Sequence, residues 1–439
     1  MDSYEIRGGT RLSGELRASG AKNAVLPILA ASAMIPDETV LDHCPDLADV
    51  DNMCRILTHL GCRIRREGET LRVDASRLHC CSVPEELMKS LRSSVFLAGP
   101  LLSRCGQAIL STPGGCAIGK RPIDLHFLGL TALGASVTER EGRLFCHSGR
   151  LRGAEIRLDY PSVGATENIL MAAASAVGET VLTNAAREPE SVDLQNFLNG
   201  CGAQISGAGT SVIRIRGTGQ PLRSCRYRIM GDRIEGGTYL MAAAVTGGTV
   251  TVRDLDPVWL GAELAALERM GCRVERSLPG ECEPFVAIRG PQALRSPGFV
   301  RAEPWPGFST DLQSPLMALC TVAEGTTVIE DTVFENRFQC AGELRKLGAV
   351  IRVNGRRAEV TGTASLAGTT VTAGDLRGGA ALVLAGLAAR GKTIVENICH
   401  TDRGYGKFDI VLKELGANIE RRDVNERERR GETTGVSEE

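Results

Sequence analysis

The sequence of 439 residues contains no long apolar run and no excess of charge of either sign. Nowhere do the roughly 18 uncharged apolar residues that span a bilayer follow one another. The opening MDSYEIRGGTRLSGELR also has charges where a signal peptide needs an apolar stretch. The 51 Lys and Arg residues nearly balance the 53 Asp and Glu residues, which argues against a long-range field for nucleic acid or anionic lipid. We therefore expect a soluble, cytoplasmic protein without a membrane span or a nucleic-acid partner, in which local cations hold any anionic ligand.

Metal-binding patterns and aromatic residues are also scarce. The 15 cysteines include no C-x-x-C pair and the six histidines are scattered, so we expect no metal and no other cofactor. Most of the thiols are best interpreted as small buried hydrophobic side chains in a reducing compartment. Aromatic residues make up 4% of the chain, which argues against a stacking surface for nucleic-acid bases.

What the sequence does contain is one unit repeated six times. Each copy has an Ala- and Leu-rich helical stretch, a strand that starts near Gly-x-Thr-Val, and a second helical stretch that ends in Leu-Gly-Ala or a close variant. Two clear copies are LMAAAVTGGTV with LERMGCRV and LMALCTVAEGTTV with LRKLGAVI. Equivalent positions recur 66 to 78 residues apart, at Asp37, Gly106, Gly178, Gly247, Gly325 and Gly391. A regular repeat of about seventy residues therefore fills the chain.

The pattern within a unit predicts an α/β fold. Helical stretches such as LVLAGLAA are apolar all round and should be buried, whereas short Val-, Ile- and Thr-rich runs bounded by Gly indicate strands. Helices inside and sheets outside is the packing that suits both. Six units divide most simply into two domains of three, and the Gly-, Pro- and Arg-rich segment 217–227 places the boundary near Arg228. The tail 421–439, with 11 charged residues in 19, should be disordered.

The sharpest chemical signal is the Gly-rich segment PGGCAIGKRPIDLH, residues 113–126. Cys116 follows two glycines there and precedes Lys120 and Arg121. A thiol on an exposed loop beside two cations should have a lowered pKa and be partly thiolate. The alternative is an ordinary surface turn with a spectator cysteine. We favour a reactive role for Cys116 and an inert role for the other cysteines.

Polar groups also stand at the start of several apolar helices, in SGAKN, SVGAT, DRIEGGT, STDLQSP and DLRGGA. Lys22 and Asn23 at such a start could hold an anion together with free backbone N–H groups, although a helix cap with an exposed lysine is the commoner arrangement. Asp311 and Asp375 are either helix caps or general bases, and caps are commoner. In a repeat fold these helix starts converge.

Two arginines follow strands of different units, Arg337 in FENRF and Arg403 in DRGYG. The plain alternative is that both are solvated surface residues. Their origin in different units is what we expect of side chains that line one cleft between two domains. We therefore count them as candidate site residues.

These motifs, taken in order, make residues 1–420 resemble the UDP-N-acetylglucosamine 1-carboxyvinyltransferase family of enolpyruvyl transferases. The resemblance rests on SGAKN, PGGCxIGxRPxDLH, SVGAT, AAREPExVD, DRIExGT, TDxQ, VFENRF and HxDRGY. It implies a two-domain inside-out α/β barrel built from six βαβαββ-type units. It also implies that the opening strand belongs to the second domain, which gives domains of 22–228 and of 1–21 with 229–420.

The resemblance implies an activity as well. The enolpyruvyl group of phosphoenolpyruvate would be transferred to the 3-hydroxyl of UDP-N-acetylglucosamine and phosphate released, the first committed step of peptidoglycan synthesis and hence of cell-wall growth. These two small molecules are the expected partners.

Roles for individual residues follow from the same resemblance. Cys116 would be the acid for C3 of phosphoenolpyruvate and the thiol that can form a covalent adduct, and Asp311 would be the base for the 3-hydroxyl. Lys22 and Arg403 complete the catalytic set. The residues implied for phosphoenolpyruvate are Lys22, Asn23, Arg121, Arg337, Asp375, Arg377 and Arg403. Those implied for the nucleotide sugar are Arg92, Arg121, Pro122, Ile123, Asp124, Leu125, Tyr160, Pro161, Ser162, Val163, Asp311 and Val333.

The chain departs from the family's usual pattern at four positions. Ala48 stands where lysine is common, Gly378 and Gly379 where Ala-Ser is common, and Gly406 where an acidic residue is common. The first predicts a weaker contact between domains, and the adjacent glycines predict a looser start of the last unit's helix, because Gly costs roughly 1 kcal/mol against Ala inside a helix.

Three other functions compete with this interpretation. A shikimate-pathway enolpyruvyl transferase should lack the Cys116 loop. An RNA 3'-terminal phosphate cyclase would need a catalytic histidine, and none of the six has such a setting. A non-catalytic paralogue that binds the nucleotide sugar should have lost Asp311, Cys116 or one of the arginines, and none is lost.

Overall fold

The computed structural model describes residues 2–111, 123–278 and 280–422, with the backbone alone for Ser90 and Arg92. Its α-helices are α1 (Lys22–Ser32), α2 (Ala48–His59), α3 (Glu85–Ser90), α4 (Ala98–Cys105), α5 (Asp124–Ala132), α6 (Val163–Ala174), α7 (Pro189–Gly200), α8 (Arg233–Thr246), α9 (Gly261–Arg269), α10 (Thr310–Cys320), α11 (Ala341–Lys346), α12 (Leu376–Ala388) and α13 (Phe408–Glu414). Short 3₁₀-helices cover Arg92–Leu97, Pro257–Leu260 and Ile398–Arg403. Within these described ranges, every helix is too short or too polar to cross a membrane.

The strands are short and numerous. In chain order they are β1 (Ser3–Arg7), β2 (Ser13–Arg17), β3 (Glu38–Asp42), β4 (Arg63–Glu67), β5 (Thr70–Asp74), β6 (Gln107–Ser111), β7 (Ser136–Arg140), β8 (Arg143–His147), β9 (Glu155–Arg157), β10 (Val177–Thr183), β11 (Gln204–Ser206), β12 (Val212–Thr218), β13 (Arg226–Arg228), β14 (Thr249–Arg253), β15 (Arg273–Arg276), β16 (Phe285–Arg289), β17 (Phe299–Ala302), β18 (Thr326–Asp331), β19 (Val350–Asn354), β20 (Arg357–Thr361), β21 (Thr370–Thr372), β22 (Lys392–Glu396) and β23 (Asn418–Arg422).

Each repeated unit contains a buried helix, a strand, a second helix and an antiparallel pair of strands. The buried helices are α1, α4, α6, α8, α10 and α12. In α12, every residue from Arg377 to Leu387 is buried, as a helix that is apolar all round requires. Strands such as β12 and β20 instead alternate between exposed and buried residues, so one face of each sheet meets solvent. The predicted α/β class, with helices inside and sheets outside, is confirmed.

The strands form six open sheets, one for each unit. Their orders are β13-β3-β5-β4, β6-β8-β7, β11-β12-β10-β9, β15-β16-β14-β2, β17-β18-β20-β19 and β21-β22-β1-β23. Each four-stranded sheet has one parallel pair and two antiparallel pairs. In the three-stranded sheet, a single parallel bridge between Ser82 and Ile109 takes the place of the fourth strand. The repeat read from the sequence is therefore a repeat of structure.

A glycine with positive φ follows the second helix of every unit. The six φ values lie between 94° and 104°, at Gly61, Gly134, Gly202, Gly271, Gly348 and Gly416. This left-handed conformation strains residues that have a Cβ atom, which explains why Leu-Gly-Ala and its variants recur there.

Buried hydrophobic residues form two separate cores. One core contains residues between Ala21 and Met230, and the other contains residues between Tyr4 and Ala18 together with residues between Ile234 and Ile419. We propose that these cores are the centres of the two domains, with the boundaries predicted above, 22–228 and 1–21 with 229–420. They are called the first and second domains below.

The chain crosses between the domains twice, and the two crossings run side by side. Strand β2 lies in the second domain and leads into α1 of the first, whereas β13 lies in the first domain and leads into α8 of the second. Gly20 and Gly231 form an antiparallel bridge between the two segments. A Cβ atom would lie 1.7 Å from His43 O at Gly20 and 1.9 Å from Asp254 O at Gly231, so only glycine fits this double crossing.

The charged tail begins later than the sequence indicated. Arg421 and Arg422 are the last residues of β23, which pairs with β1. Arg421 also forms salt bridges with Asp2 and Asp402. The prediction of disorder was therefore wrong for these two residues, because strand pairing and carboxylate partners hold them, and the rest of the predicted tail lies outside the described residues.

Candidate active site

A cavity of about 430 Å³ opens between the two domains. Among its lining residues are several that the family resemblance assigned to the nucleotide sugar. These are Ile123, Leu125, Tyr160, Pro161, Ser162, Val163, Asp311 and Val333. Asn23, which the sequence assigned to phosphoenolpyruvate, lines the same cavity. The structure thus brings together candidate residues from both domains.

Other candidate residues are not described in the same detail. Cys116, Arg121 and Pro122 lie outside the described residues, as does the side chain of Arg92. Asp124 is the first residue of α5 and does not appear among the lining residues of the cavity in the described chain.

Several of the helix starts meet one another: Lys22 N at the start of α1 donates to Asp232 before α8, and the starts of α6 and α10 line the same cavity. Most of these starts are also capped by side chains. Ser162 accepts a hydrogen bond from Ala165 N at the start of α6, and Ser309 accepts one from Asp311 N at the start of α10. Asp375 caps α12 by accepting hydrogen bonds from Arg377 N and Gly378 N, each at 3.0 Å. Asp375 therefore acts on Arg377 through the backbone, and Asp311 is a first-turn residue whose carboxylate is not the cap.

The Asp311 carboxylate lies between two buried arginines. Its Oδ1 accepts a hydrogen bond of 2.6 Å from Arg337 Nη2, and its Oδ2 accepts one of 3.1 Å from Arg377 Nη2. The two arginine side chains are 3% and 4% exposed, against 23% for Asp311. Arg337 Nε also donates to Thr310 O. The alternative that Arg337 is a solvated surface residue was therefore wrong, because its guanidinium is held from two sides.

A second cluster joins Lys22 to Arg403 through Asp49. Lys22 Nζ lies 2.7 Å from Asp49 Oδ2, and Arg403 Nε donates a hydrogen bond of 2.9 Å to Asp49 Oδ1. Lys22 is buried, so the alternative of an exposed lysine beside a cap was also wrong. Burial lowers the pKa of Lys22, and the Asp49 carboxylate opposes this shift.

Sequence reasoning missed Asp49. In PDLADVD it stands two residues from Asp51, and both carboxylates lie in the first turn of α2. No signal in the sequence separates them, since only the packing of the two domains brings Arg403, 354 residues away, to one of them.

Carboxylates that sequence reasoning also missed line the first-domain side of the cavity. Glu190 forms a buried salt bridge with Arg233, at 2.9 Å from Arg233 Nε. Glu188 accepts a hydrogen bond of 3.2 Å from Trp305 N of the second domain. Burial raises the pKa of Glu188 and, with repulsion from Glu190, that of Glu167. The motif AAREPExVD contains two of these acids and was the signal that could have found them.

The histidine in this cavity is a poor proton carrier. His126 is buried, and its Nδ1 lies 3.1 Å from Asn168 Nδ2. Burial lowers its pKa to about 4, so the imidazole is neutral at physiological pH and Nδ1 accepts from the amide. Across the described ranges, no group of three or more His, Cys, Asp or Glu residues could hold a metal ion.

Three of the four departures from the family pattern are glycines in tight contacts. A Cβ atom would lie 2.7 Å from Asp375 Oδ2 at Gly378 and 2.3 Å from Thr401 Oγ1 at Gly379. At Gly406 a Cβ atom would lie 2.9 Å from Asp46 O of the first domain. Gly379 lets the segment that carries Arg403 pack closely against the start of α12, and the looser helix start stays a prediction. Ala48 is exposed and begins α2.

This chain is similar to known proteins over nearly its whole length. Residues 6–431 match the family model described as EPSP synthase (3-phosphoshikimate 1-carboxyvinyltransferase). UDP-N-acetylglucosamine 1-carboxyvinyltransferase 1 of Symbiobacterium thermophilum is 49% identical over 96% of this chain and 95% of its own. UDP-N-acetylglucosamine 1-carboxyvinyltransferase 2 of Caldanaerobacter subterraneus is 45% identical over 96% of this chain and 100% of its own.

Solved structures support the same grouping. The enolpyruvyl transferase NikO from Streptomyces tendae has a TM-score of 0.84 at 28% identity, covering 96% of this chain and 98% of its own. EPSP synthase from Acinetobacter baumannii has a TM-score of 0.74 at 19% identity, covering 96% of this chain and 100% of its own. At that lower identity the similarity shows the fold alone.

Proposed function

This chain belongs to the EPSP synthase family of enolpyruvyl transferases, and from that premise we propose that it transfers the enolpyruvyl group of phosphoenolpyruvate to the 3-hydroxyl of UDP-N-acetylglucosamine. Phosphate is released, and the product feeds peptidoglycan synthesis in the cytoplasm. The acceptor is inferred from relatives at 44–49% identity that carry the name UDP-N-acetylglucosamine 1-carboxyvinyltransferase.

The observation that carries this proposal is the position of Asp311. Its carboxylate stands at the wall of the interdomain cavity with buried arginines on both oxygens. The reaction needs a base for a sugar hydroxyl beside cations for a phosphorylated, carboxylated co-substrate. A carboxylate flanked by Arg337 and Arg377 offers both in one place.

In the proposed reaction, Asp311 takes the proton of the sugar 3-hydroxyl while the hydroxyl oxygen attacks C2 of phosphoenolpyruvate. A proton delivered to C3 completes the addition and gives a tetrahedral phosphate ketal. Loss of phosphate and of a C3 proton then gives the enolpyruvyl ether. We assign delivery of the C3 proton to Cys116, from its sequence setting beside Lys120 and Arg121.

The arginines must exchange partners during this cycle. Without substrate, Arg337 and Arg377 donate to Asp311. An incoming phosphate or carboxylate competes for the same N–H groups, and drawing them away leaves an Asp311 oxygen able to accept the hydroxyl proton. Lys22 and Arg403, which form salt bridges with Asp49 when no substrate is bound, supply further positive charge for the same anion.

The remaining candidates have binding roles in this proposal. Asn23, Ile123, Leu125, Tyr160–Val163 and Val333 contact the nucleotide sugar or phosphoenolpyruvate from the cavity wall. Asp375 orients Arg377 through the helix cap. We also assign Arg92, Arg121, Pro122 and Asp124 to the nucleotide sugar, as the family resemblance implies, and the last three stand in the motif PGGCAIGKRPIDLH.

A phosphate-release assay tests the proposal. Purified protein is incubated with phosphoenolpyruvate and either UDP-N-acetylglucosamine or shikimate 3-phosphate, and the product is identified by mass spectrometry. We expect phosphate release when the acceptor is UDP-N-acetylglucosamine and none when it is shikimate 3-phosphate. The product should be heavier than UDP-N-acetylglucosamine by one enolpyruvyl group. Release with shikimate 3-phosphate instead would show that the acceptor is wrong, and no release with either would contradict the activity.

A further inference from the structure

Aromatic side chains are scarce in this chain, yet several gather at the interdomain cavity. The sequence has two Trp, five Tyr and ten Phe residues. Phe96 and Tyr160 of the first domain and Trp305 and Phe334 of the second line the cavity. Such a cluster gives a polar, charged site a set of flat apolar faces.

Trp305 is held more firmly than its place in a loop would require. Its backbone N–H donates a hydrogen bond of 3.2 Å to Glu188 Oε1 across the domain interface. The Arg187 guanidinium lies over the indole, 5.8 Å from the ring centre. Within the loop, Gly307 N donates to Pro304 O at 3.0 Å and Glu303 N donates to Phe308 O at 3.1 Å. The backbone of the Trp305 loop is therefore held in place, and the indole it carries is half-buried under Arg187.

Two of the other aromatic residues of the cavity have less to offer a ligand. The ring of Phe334 packs against the guanidinium of Arg337, which is itself committed to Asp311. Phe96 lies against the buried imidazole of His126. Trp305 has the largest ring of the four, and its loop leads directly into α10, where Asp311 lies six residues further along the chain.

We propose that the Trp305 indole is a stacking surface for a ring of the nucleotide sugar, and that it determines affinity for this acceptor. The inference rests on the proposed function, since UDP-N-acetylglucosamine offers two rings that can pack on an indole, the planar uracil base and the pyranose with its face of C–H groups. Both pack well on an indole. The guanidinium of the exposed Arg187, which lies over one face of this ring, adds positive charge suited to the diphosphate and leaves the other face for the ligand.

A stacking role for Trp305 predicts a specific change in the kinetic constants. A stacking contact to a part of the acceptor that does not react is equally strong in the ground state and the transition state. Its loss therefore raises KM for the nucleotide sugar and leaves kcat and KM for phosphoenolpyruvate nearly unchanged. A merely structural role for Trp305 would change all three.

Trp305 can report on its own ligand by fluorescence. The other tryptophan, Trp259, packs against the first core and does not line the cavity in the described chain. A Trp259→Phe variant leaves Trp305 as the single indole. We expect its emission to change on titration with UDP-N-acetylglucosamine and to reach a plateau. The Kd fitted to this titration should equal the Kd measured by calorimetry. Titrations with UDP and with N-acetylglucosamine 1-phosphate then show which ring stacks, because only the fragment with that ring reproduces the change.

Substitutions complete the test. Trp305→Ala should raise Kd and KM for the nucleotide sugar by about 5- to 150-fold, the range found for base stacking. Trp305→Phe should recover most of the affinity that Trp305→Ala loses. Trp305→Leu, an apolar replacement without a π face, should recover little. Unchanged affinity in Trp305→Ala, equal recovery by Phe and Leu, or constant emission on saturation would overturn the inference and leave the proposed function intact. Failure of the wild-type chain to bind UDP-N-acetylglucosamine would overturn both.

Discussion

Asp49 of the first domain and Arg403 of the second form a salt bridge, with 2.9 Å between Asp49 Oδ1 and Arg403 Nε. The same carboxylate lies 2.7 Å from Lys22 Nζ. Asp49 is only 4% exposed, so its charge needs both cations, and Lys22 in turn needs Asp49 to remain charged in a buried position. One carboxylate thus sets the charge state of one candidate catalytic cation and the position of another.

Asp49→Asn should change the pH dependence of the proposed reaction. Burial lowers the pKa of Lys22 and Asp49 raises it, so the variant's Lys22 loses its proton at a lower pH. The alkaline fall in kcat/KM for phosphoenolpyruvate, which reports the free enzyme, should move to lower pH. At the pH where the two profiles differ most, the loss against wild type should be about 10-fold or more, since a hydrogen bond to a charged group contributes about 1.5–3 kcal/mol.

Asp51→Asn is the matched control, because Asp51 lies in the same first turn of α2 and is exposed. Its profile should follow wild type. An Asp49→Asn profile that also followed wild type would show that Asp49 does not govern Lys22.

Asp311→Asn should separate catalysis from stability. Removing a positioned base slows turnover by about 10²- to 10⁴-fold. The variant also leaves the buried cations Arg337 and Arg377 without their shared anion, so its melting temperature should fall. Added phosphate should raise the melting temperature of the variant more than that of wild type, because phosphate can bind between the two arginines where the carboxylate charge was removed.

The control for this variant is Glu324→Gln, an exposed carboxylate just beyond the other end of α10. Near-native turnover in Asp311→Asn would move the base elsewhere. A melting temperature that phosphate does not affect would argue against the arginine pair as an anion site.

The sequence predicted the fold and the convergence of helix starts because both follow from local patterns. A helix that reads LVLAGLA must be buried, and a Leu-Gly-Ala repeat marks a turn with positive φ at each copy. Six copies of one unit then leave little freedom in the architecture, and capping residues such as Ser309 and Asp375 stand where the repeat places them.

The partners of individual site residues could not be read in the same way. Asp49 binds the buried Lys22 of its own domain and also Arg403 of the other domain. Asp49 and Arg403 are 354 residues apart in the chain and meet only because the two domains pack against each other. Trp305 stands in a loop without helical or strand period, so its place in the cavity depends on a contact with Glu188 that the sequence does not announce. Sequence patterns locate a site on an element, whereas packing between elements decides what each side chain meets.

Gly379→Ala should disturb the segment that carries Arg403. The new Cβ atom would lie 2.3 Å from Thr401 Oγ1 in the 3₁₀-helix Ile398–Arg403. Overpacking lowers the free energy of unfolding by about 1–3 kcal/mol. This loss equals or exceeds the roughly 1 kcal/mol by which Ala stabilises a helix relative to Gly. We expect a lower melting temperature and a higher KM for phosphoenolpyruvate.

A double-mutant cycle identifies the cause. Combining Gly379→Ala with Thr401→Ala removes the clashing hydroxyl, so the pair should be less damaging than the sum of the single changes. Gly374→Ala is the matched control, since no atom lies within 4 Å of a Cβ atom there. Additive effects in the cycle would rule out the contact with Thr401.

Fosfomycin, an epoxide that mimics phosphoenolpyruvate, should alkylate Cys116 and spare the other cysteines. Burial raises the pKa of Cys320 and Cys340 to about 12, so those thiols are poor nucleophiles. Cys282 and Cys399 are exposed, but an epoxide that binds through its phosphonate reacts only beside the cations that hold it. Peptide mass mapping after treatment gives the site. Iodoacetamide, which needs no anion site, should label Cys282 and Cys399 as well, and fosfomycin labelling of either in place of Cys116 would contradict the assignment.

Glu235 should make the protein less stable as pH rises, through its position at the double crossing between the domains. Its carboxylate accepts hydrogen bonds from Ser19 N at 2.8 Å and from Ser19 Oγ at 3.2 Å. Burial, followed by repulsion from Asp232, raises its pKa from 4.5 to about 8. The folded protein therefore holds a proton that the unfolded chain has released over this interval. The stability that this proton contributes is fully present below pH 4.5 and is lost as pH rises through about 8.

Glu235→Gln removes the titrating group and keeps the shape of the side chain. Between pH 5 and 8 the free energy of unfolding of wild type should fall relative to that of the variant by up to about 1.4 kcal/mol per pH unit. The difference between the two proteins isolates Glu235, because other buried acids such as Asp193 titrate in both. Denaturation curves at pH 5 to 9 give the comparison, with the exposed Glu281→Gln as control. Parallel stability curves for wild type and Glu235→Gln would show that Glu235 is already ionised in the folded protein, and that Ser19 and the crossing segments stabilise its charge.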